Sequence, residues 1–225
     1  QNHVFEIGLS QNNGLGVEPT SSMAKRTGAI AAINGGFFED QVGAYIGASA
    51  GSLKINRTYF STCRKQRGVL AWSDPTKPLI ETLNLKMHIN GHVIDKLNSA
   101  RKQDDVILYS WQFHRQTLTT EGGIEYAISK DHIITNISSA GNMSIPENGF
   151  VLSIGPEASF PKLKLKDSVT ISYVTDHPKW STYPNIIDGT PVLIKDGNRI
   201  DDYSSEQVIE SFITDSNCSQ SVKSL

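Results

Sequence analysis

An α+β fold, built as a mostly antiparallel mixed sheet with a few short helices, is what this sequence predicts. Three observations carry that expectation. About ten short apolar runs of strand length are separated by turn residues, only two stretches carry helix caps, and no regular strand–helix alternation of the kind that builds a parallel sheet is present. The chain has 225 residues, 38% hydrophobic and 20% charged, with a formal net charge of −2. That is enough apolar material for a real core and argues against disorder. Scattered Lys and Arg near neutrality exclude a nucleic-acid surface, and no apolar run approaches the ~18 residues of a membrane span.

Taken in order, residues 4–7 predict an opening strand and residues 11–16, rich in Asn and Gly, a loop. Thr20 or Ser21 caps a short helix through residues 23–27, which Gly28 ends. Residues 29–33, A-I-A-A-I, predict a short buried strand running into Asn34-Gly35-Gly36 and the aromatic pair Phe37-Phe38. Two glycines after a strand admit unusual backbone angles or bring bare amides near a ligand, and Asn34 adds donors and acceptors there. The same stretch is equally a tight turn with two core phenylalanines. Residues 39–52 hold Gly43, Gly47 and Gly51 and predict an irregular segment, without the setting of a phosphate-binding loop.

Residues 68–72 predict a strand, and residues 82–88 alternate apolar and polar as one half-buried strand. Asn90-Gly91 marks a hairpin turn before the return strand at residues 92–94. Residues 106–109 predict a buried strand, residues 111–120 a loop, and residues 124–128 with 132–137 a hairpin. Strands follow at residues 150–154 and 168–175, then an apolar–polar–apolar pattern over residues 185–194 and a tight turn at Asp196-Gly197. A helix starts near Ser204, in capping-box spacing with Gln207, and runs to about Phe212.

Two other residues carry chemistry. Arg101, ahead of a buried strand, suits bidentate capture of a phosphate or carboxylate, but from the residues alone a surface pairing with Asp104 or Asp105 is the favoured reading. His114 is a candidate acid or base, or a solvated loop histidine. Cys63 and Cys218 are compatible with one disulfide or two separate thiols. No His, Cys and carboxylate cluster has metal-ligand spacing, so no metal and no cofactor is expected.

The stretch A-A-I-N-G-G-F-F, then I-N-G-H-V-I-D-K-L-N-S-A-R-K-Q-D-D-V-I-L-Y-S, then I-I-D-G-T-P-V-L-I-K-D-G, resembles the phosphodiester glycosidase family. That family contains N-acetylglucosamine-1-phosphodiester alpha-N-acetylglucosaminidase and bacterial exopolysaccharide-related members. The resemblance implies hydrolysis of a sugar-1-phosphodiester with release of the free sugar, and export to the periplasm, envelope or exterior. By position it makes Asp188, Asn34 and Arg101 catalytic, with Arg101 holding the phosphate. It gives Gly35, Gly36, Phe37, Asn98, Gly189 and Pro191 to substrate binding. Asp188 stands where the family often has Gly; Glu39 and Asp40 are the other carboxylates near the motifs. The H-P-R-T-A-type and N-L-D-G-G-G-S motifs that follow in the family do not occur in this sequence. The expectation is therefore a C-terminally incomplete domain over residues 1–213 with an irregular tail at 214–225. Three activities stay open: hydrolysis, binding of a carbohydrate or sugar phosphate without turnover, and an envelope structural module meeting a partner through its sheet edges.

Overall fold

The computed structural model describes residues 4–63 and 65–201. The helix expected at residues 204–212, the tail and Cys218 lie outside them. Among the described residues the chain forms fifteen short strands, one α-helix and two 3-10 turns, and almost all strand pairing is antiparallel. The architecture is broadly α+β or mainly β.

Three sheets build it. The first has the order β2 (Thr58–Ser61), β1 (Leu53–Ile55), β13 (Asn185–Asp188), β3 (Arg67–Trp72) and β4 (Leu79–Leu83). The second has the order β10 (Ile134–Ser138), β9 (Ile124–Ile128), β11 (Phe150–Ile154), β8 (Val106–Ser110) and β7 (Lys96–Leu97); β7 and β8 are its parallel pair. The third has the order β12 (Ile171–Thr175), β5 (Leu85–Ile89) and β6 (His92–Ile94), and β14 (Ile194–Lys195) with β15 (Asn198–Arg199) forms a small ribbon.

The strands follow their side chains. β8, V-I-L-Y-S, is buried at every position because both faces of the second sheet are covered. One face, with Leu108, Tyr126, Ile128 and Leu152, packs against Met87, Ile89 and Ile94 of the third sheet. The other, with Ile107, Tyr109, Ala127 and Val151, is covered by loops carrying Ala48, Phe113, Met143 and Ile145. Trp180, fully buried, closes a third cluster with Val69, Ala71, Leu83, Leu85 and Ile186. Asn90 and Gly91 both take positive φ and close the β5–β6 hairpin as expected.

Several expectations change. The opening strand is irregular chain; the Phe5 ring instead packs at a tilt on Trp72, 4.6 Å between centroids, and the Phe5 carbonyl accepts a hydrogen bond from the indole Nε1. The helix α1 runs Thr20–Thr27 with Pro19 as N-cap and no side-chain cap, so neither Thr20 nor Ser21 caps it; Gly28, at φ 68°, does end it. Residues 82–88 are two strands broken at Asn84, one in the first sheet and one in the third, although Leu83, Leu85 and Met87 are all buried across the break. Residues 29–33 are not a buried strand: they form exposed irregular chain, with Ile30 82% and Ile33 85% exposed.

Candidate functional site

The first and third glycine motifs meet. β13 is flanked by β1 and β3 in the first sheet and ends at Asp188. The Asp188 amide donates to the Ser52 carbonyl at 3.1 Å, and the next amide, of Gly189, donates to the Gly68 carbonyl at 2.9 Å. Against this strand end lie Gly35 and Gly36. A Cβ on Gly35 would stand 2.7 Å from Ile187 Cδ1, and one on Gly36 would stand 3.0 Å from the Asp188 carbonyl oxygen. At Gly36 the strand-end backbone would have to give way to a side chain, whereas at Gly35 only the tip of the Ile187 side chain would have to move.

Gly51 closes the same corner. A Cβ there would fall 2.4 to 2.7 Å from Cγ, Cβ and Oδ1 of Asp188. The Asp188 side chain therefore lies flat against Gly51 and is buried, at 4% exposure. The β13–β3 register sets Asp188 opposite Val69, so Arg67, two residues along β3, issues from the same face. Arg67 is also buried, and a carboxylate and a guanidinium thus share one face of this sheet. Gly189 is exposed and a Cβ on it would meet nothing within 4 Å, which leaves open space beside Asp188. Pro191 follows a cis peptide and is half-buried, Phe37 is half-buried, and Asn34 is exposed. Phe38 is 45% exposed, so the turn does not carry two core phenylalanines.

Arg101 sits in a second polar cluster. Its Nη1 donates to Ser153 Oγ and the Ile154 carbonyl, and its Nη2 donates to the carbonyls of Thr120 and Gly122. All four terminal N–H bonds are engaged, and none goes to Asp104 or Asp105. Ser153 in turn donates to Glu125 Oε1 at 2.8 Å; Thr119 Oγ1 donates to the same oxygen, and the Met143 amide donates to Oε2. Glu125 is fully buried and accepts three hydrogen bonds. Beside it, burial pushes the Tyr45 phenol up to about 12 and holds Tyr109 well above its ordinary value. The two hydroxyls lie 3.1 Å apart.

One loop spans both clusters. The Phe38–Ser49 bridge and the Ala50 amide donating to the Phe37 carbonyl fold residues 37–50 back on themselves. Its base ends at Gly51 beside Asp188, and its Tyr45 stacks on Phe113 at 5.8 Å in the second cluster. Asn98, at φ 57°, is buried and fully engaged: Nδ2 donates to the Phe60 carbonyl and to Ser110 Oγ, and Oδ1 accepts from the Ser110 amide. It joins β2 to β8. His114 folds onto its own loop, its Nδ1 accepting from the Gln116 amide.

Arg67, Glu125, Ser153 and Tyr45 were not singled out from the sequence. The available signal was a charge inside or beside an apolar strand, as in I-E-Y-A-I and R-G-V-L-A-W. Among the described residues no group of three His, Cys, Asp or Glu is set to hold a metal ion. A cavity of about 250 Å³ is lined by Thr62, Cys63, Leu85, Lys86, Met87, Val93, Ile94 and Asp95; the last three belong to the second motif, but none of the predicted site residues lines it. Cys63 is buried and disulfide-bonded.

The fold has counterparts among solved structures. It is similar to that of a hypothetical protein from Synechocystis, with a TM-score of 0.71 at 19% identity, over 89% of this chain and 39% of that one. It is also similar to "Putative exported protein (BPSS2145)" of Burkholderia pseudomallei K96243, with a TM-score of 0.65 at 16% identity, over 84% of this chain and 47% of that one. The chain thus spans less than half the length of either of these solved structures. By sequence, it belongs to the family of Uncharacterized protein RC0079 of Rickettsia conorii (strain ATCC VR-613 / Malish 7), to which it is 30% identical over 192 residues, 80% of this chain and 67% of that protein. No family profile matches the chain. No helix among the described residues is long and apolar enough to cross a membrane.

Proposed function

We propose that this chain binds a sugar-1-phosphodiester, of the N-acetylglucosamine-1-phosphodiester type, and hydrolyses it to the free sugar and a phosphomonoester. The observation that carries this is the approach of Gly35, Gly36 and Gly51 to the Asp188 end of β13, which brings together the first and third motifs from more than 150 residues apart in sequence. Glycosyl phosphates carry their own stabilised leaving group, so the site has to stabilise an oxocarbenium-like C1 and direct a water onto it. Asp188 serves as that carboxylate and as base. The bare amides of Gly35 and Gly36, with Asn34, face the sugar, and Phe37 lies beside it. Water bonds to C1, the C1–O bond breaks, and the electron pair leaves on the phosphate. Pro191 and the open side of Gly189 bound the substrate, and Asn98 sets the strand before Arg101. Arg101 holds the phosphate by exchanging the Thr120 and Gly122 carbonyls for phosphate oxygens.

The test is hydrolysis in water enriched in heavy oxygen. Label in the released sugar supports attack at C1, whereas label in the phosphate, or no release by the wild type, refutes it. Asp188→Asn should abolish turnover while binding persists. A second reading, binding without turnover, is favoured by one observation: Asp188 is buried and the terminal N–H groups of Arg101 are all engaged. Saturable binding of the diester without release of sugar would select it. Likeness to the Burkholderia protein favours export, which cell fractionation would test.

A further inference from the structure

Cys63 is disulfide-bonded, and the sequence holds one other cysteine, Cys218. The Cα atoms of a disulfide stand about 4.4–6.8 Å apart, and two extended residues reach about 7 Å further. A bond between the two cysteines therefore fixes where residues 216–220 lie. The anchor is firm. Cys63 sits on the connection from β2 to β3 yet is only 1% exposed. Its amide donates to Ser52 Oγ, the adjacent Thr62 Oγ1 accepts from the Leu97 amide, and the Phe60 carbonyl accepts from Asn98 Nδ2.

The same anchor carries the corner around Asp188. Ser61 Oγ donates to the Gly51 carbonyl, and Asp188 lies against Gly51. Ser52 takes the Cys63 amide on its hydroxyl and the Asp188 amide on its carbonyl, the latter at 3.1 Å. One residue, Ser52, thus separates Cys63 from the end of β13. The surfaces suit each other. Gly35 and Gly189 are exposed there, and a Cβ on Gly189 would meet nothing within 4 Å. The segment Ser216-Asn217-Cys218-Ser219-Gln220 carries uncharged polar side chains, able to give and accept hydrogen bonds along bare backbone without bringing a charge out of water. The cavity that Cys63 also lines is walled by Leu85, Met87 and Ile94, a poorer match for such a segment.

We propose that Cys63 pairs with Cys218, and that this bond holds residues 216–220 as a strap against the Asp188 end of β13, over the open side of Gly189. The strap's effect on turnover rests on the sugar-phosphate reading; its position does not. A dithiol releases it: two electrons and two protons pass to the S–S bond, which breaks to two thiols, and the dithiol is oxidised to its own disulfide. Peptide mass mapping of the non-reduced full chain should find Cys63 and Cys218 linked within the monomer. Dithiothreitol should then speed amide exchange at Asp188 and Gly189 roughly tenfold or more, while residues 124–128 of β9, in the other sheet, keep their rate. Cys218→Ser, and separately deletion of residues 214–225, should match the reduced wild type without any reductant. Two free thiols, or a link between two copies, overturns the proposal. So does a Cys63–Cys218 link when the Cys218→Ser chain exchanges Asp188 and Gly189 as slowly as the oxidised wild type, or speeds β9 equally. No substrate enters these measurements, so their failure is distinct from failure of the hydrolysis test.

Discussion

Replacing Arg101 by alanine separates a residue that fastens the fold from one that waits for a ligand. The substitution removes four hydrogen bonds, of 3.0, 3.3, 3.1 and 2.6 Å, from a cationic donor to Ser153 Oγ and three backbone carbonyls. A bond to a charged group contributes about 1.5–3 kcal/mol net when buried, and the exposed Thr120 acceptor can turn to water, so the sum is heavily discounted. Ser153 and Glu125 keep their own bond, which limits the damage further. A loss of about 3 kcal/mol follows, equivalent to a fall of roughly 6–12 °C in Tm for a chain of this size. Urea unfolding at neutral pH reads it directly as a lower midpoint at unchanged slope. Arg101→Lys should recover less than half, because a single ammonium cannot meet carbonyls on both sides of the guanidinium. A change below about 0.5 kcal/mol for Arg101→Ala would refute the reasoning and make these contacts incidental.

Other substitutions and conditions carry comparable expectations. Gly51→Ala drives a Cβ into the Asp188 side chain and should cost about 2 kcal/mol by thermal unfolding, whereas Gly189→Ala, with open space around it, should cost under about 0.5 kcal/mol unless ligand is present. Trp180→Ala empties the centre of the third cluster and should cost about 3–5 kcal/mol. Burial pushes the Tyr59 phenol up to about 12, so the unfolded chain loses this proton at lower pH than the folded one. The corresponding stability is intact below about pH 10 and is lost as pH rises from there through 12; Tyr59→Phe should flatten that fall in alkaline unfolding curves. The Arg26 guanidinium, with the Gln11 amide, holds the Glu18 carboxyl at about 2. The tie between α1 and the preceding loop should therefore weaken as pH falls from about 4.5 toward 2, read as faster amide exchange over residues 20–27.

Much of the sheet structure is legible in the sequence because it is written locally. V-I-L-Y at residues 106–109 is too apolar to lie anywhere but between two covered faces, and Asn90-Gly91 supplies the two positive φ values its hairpin needs. The break at Asn84 is not legible. Alternation continues through it, since Leu83 and Leu85 are both buried, and only the pairing partners reveal a change of sheet. Residues 29–33 mislead for a related reason. A short apolar run specifies affinity for a covered surface but not which surface covers it. The site divides the same way. Glycines that permit close approach are visible as glycines, but that Gly35, Gly36 and Gly51 all serve one strand end is a tertiary fact. Arg101 is visible as a guanidinium before a strand, yet its four acceptors come from two separate segments, Thr120 with Gly122 and Ser153 with Ile154.

The most direct test of the account is release of free N-acetylglucosamine from a synthetic N-acetylglucosamine-1-phosphodiester by the wild type and by Asn34→Ala. Asn34 is exposed, so the variant keeps the fold and reports on the site alone. The account predicts saturable turnover by the wild type and a fall in kcat/KM of about a hundredfold in the variant, the scale of one lost polar contact to the reacting centre. Equal rates in the two proteins, or neither turnover nor binding by the wild type, would contradict it.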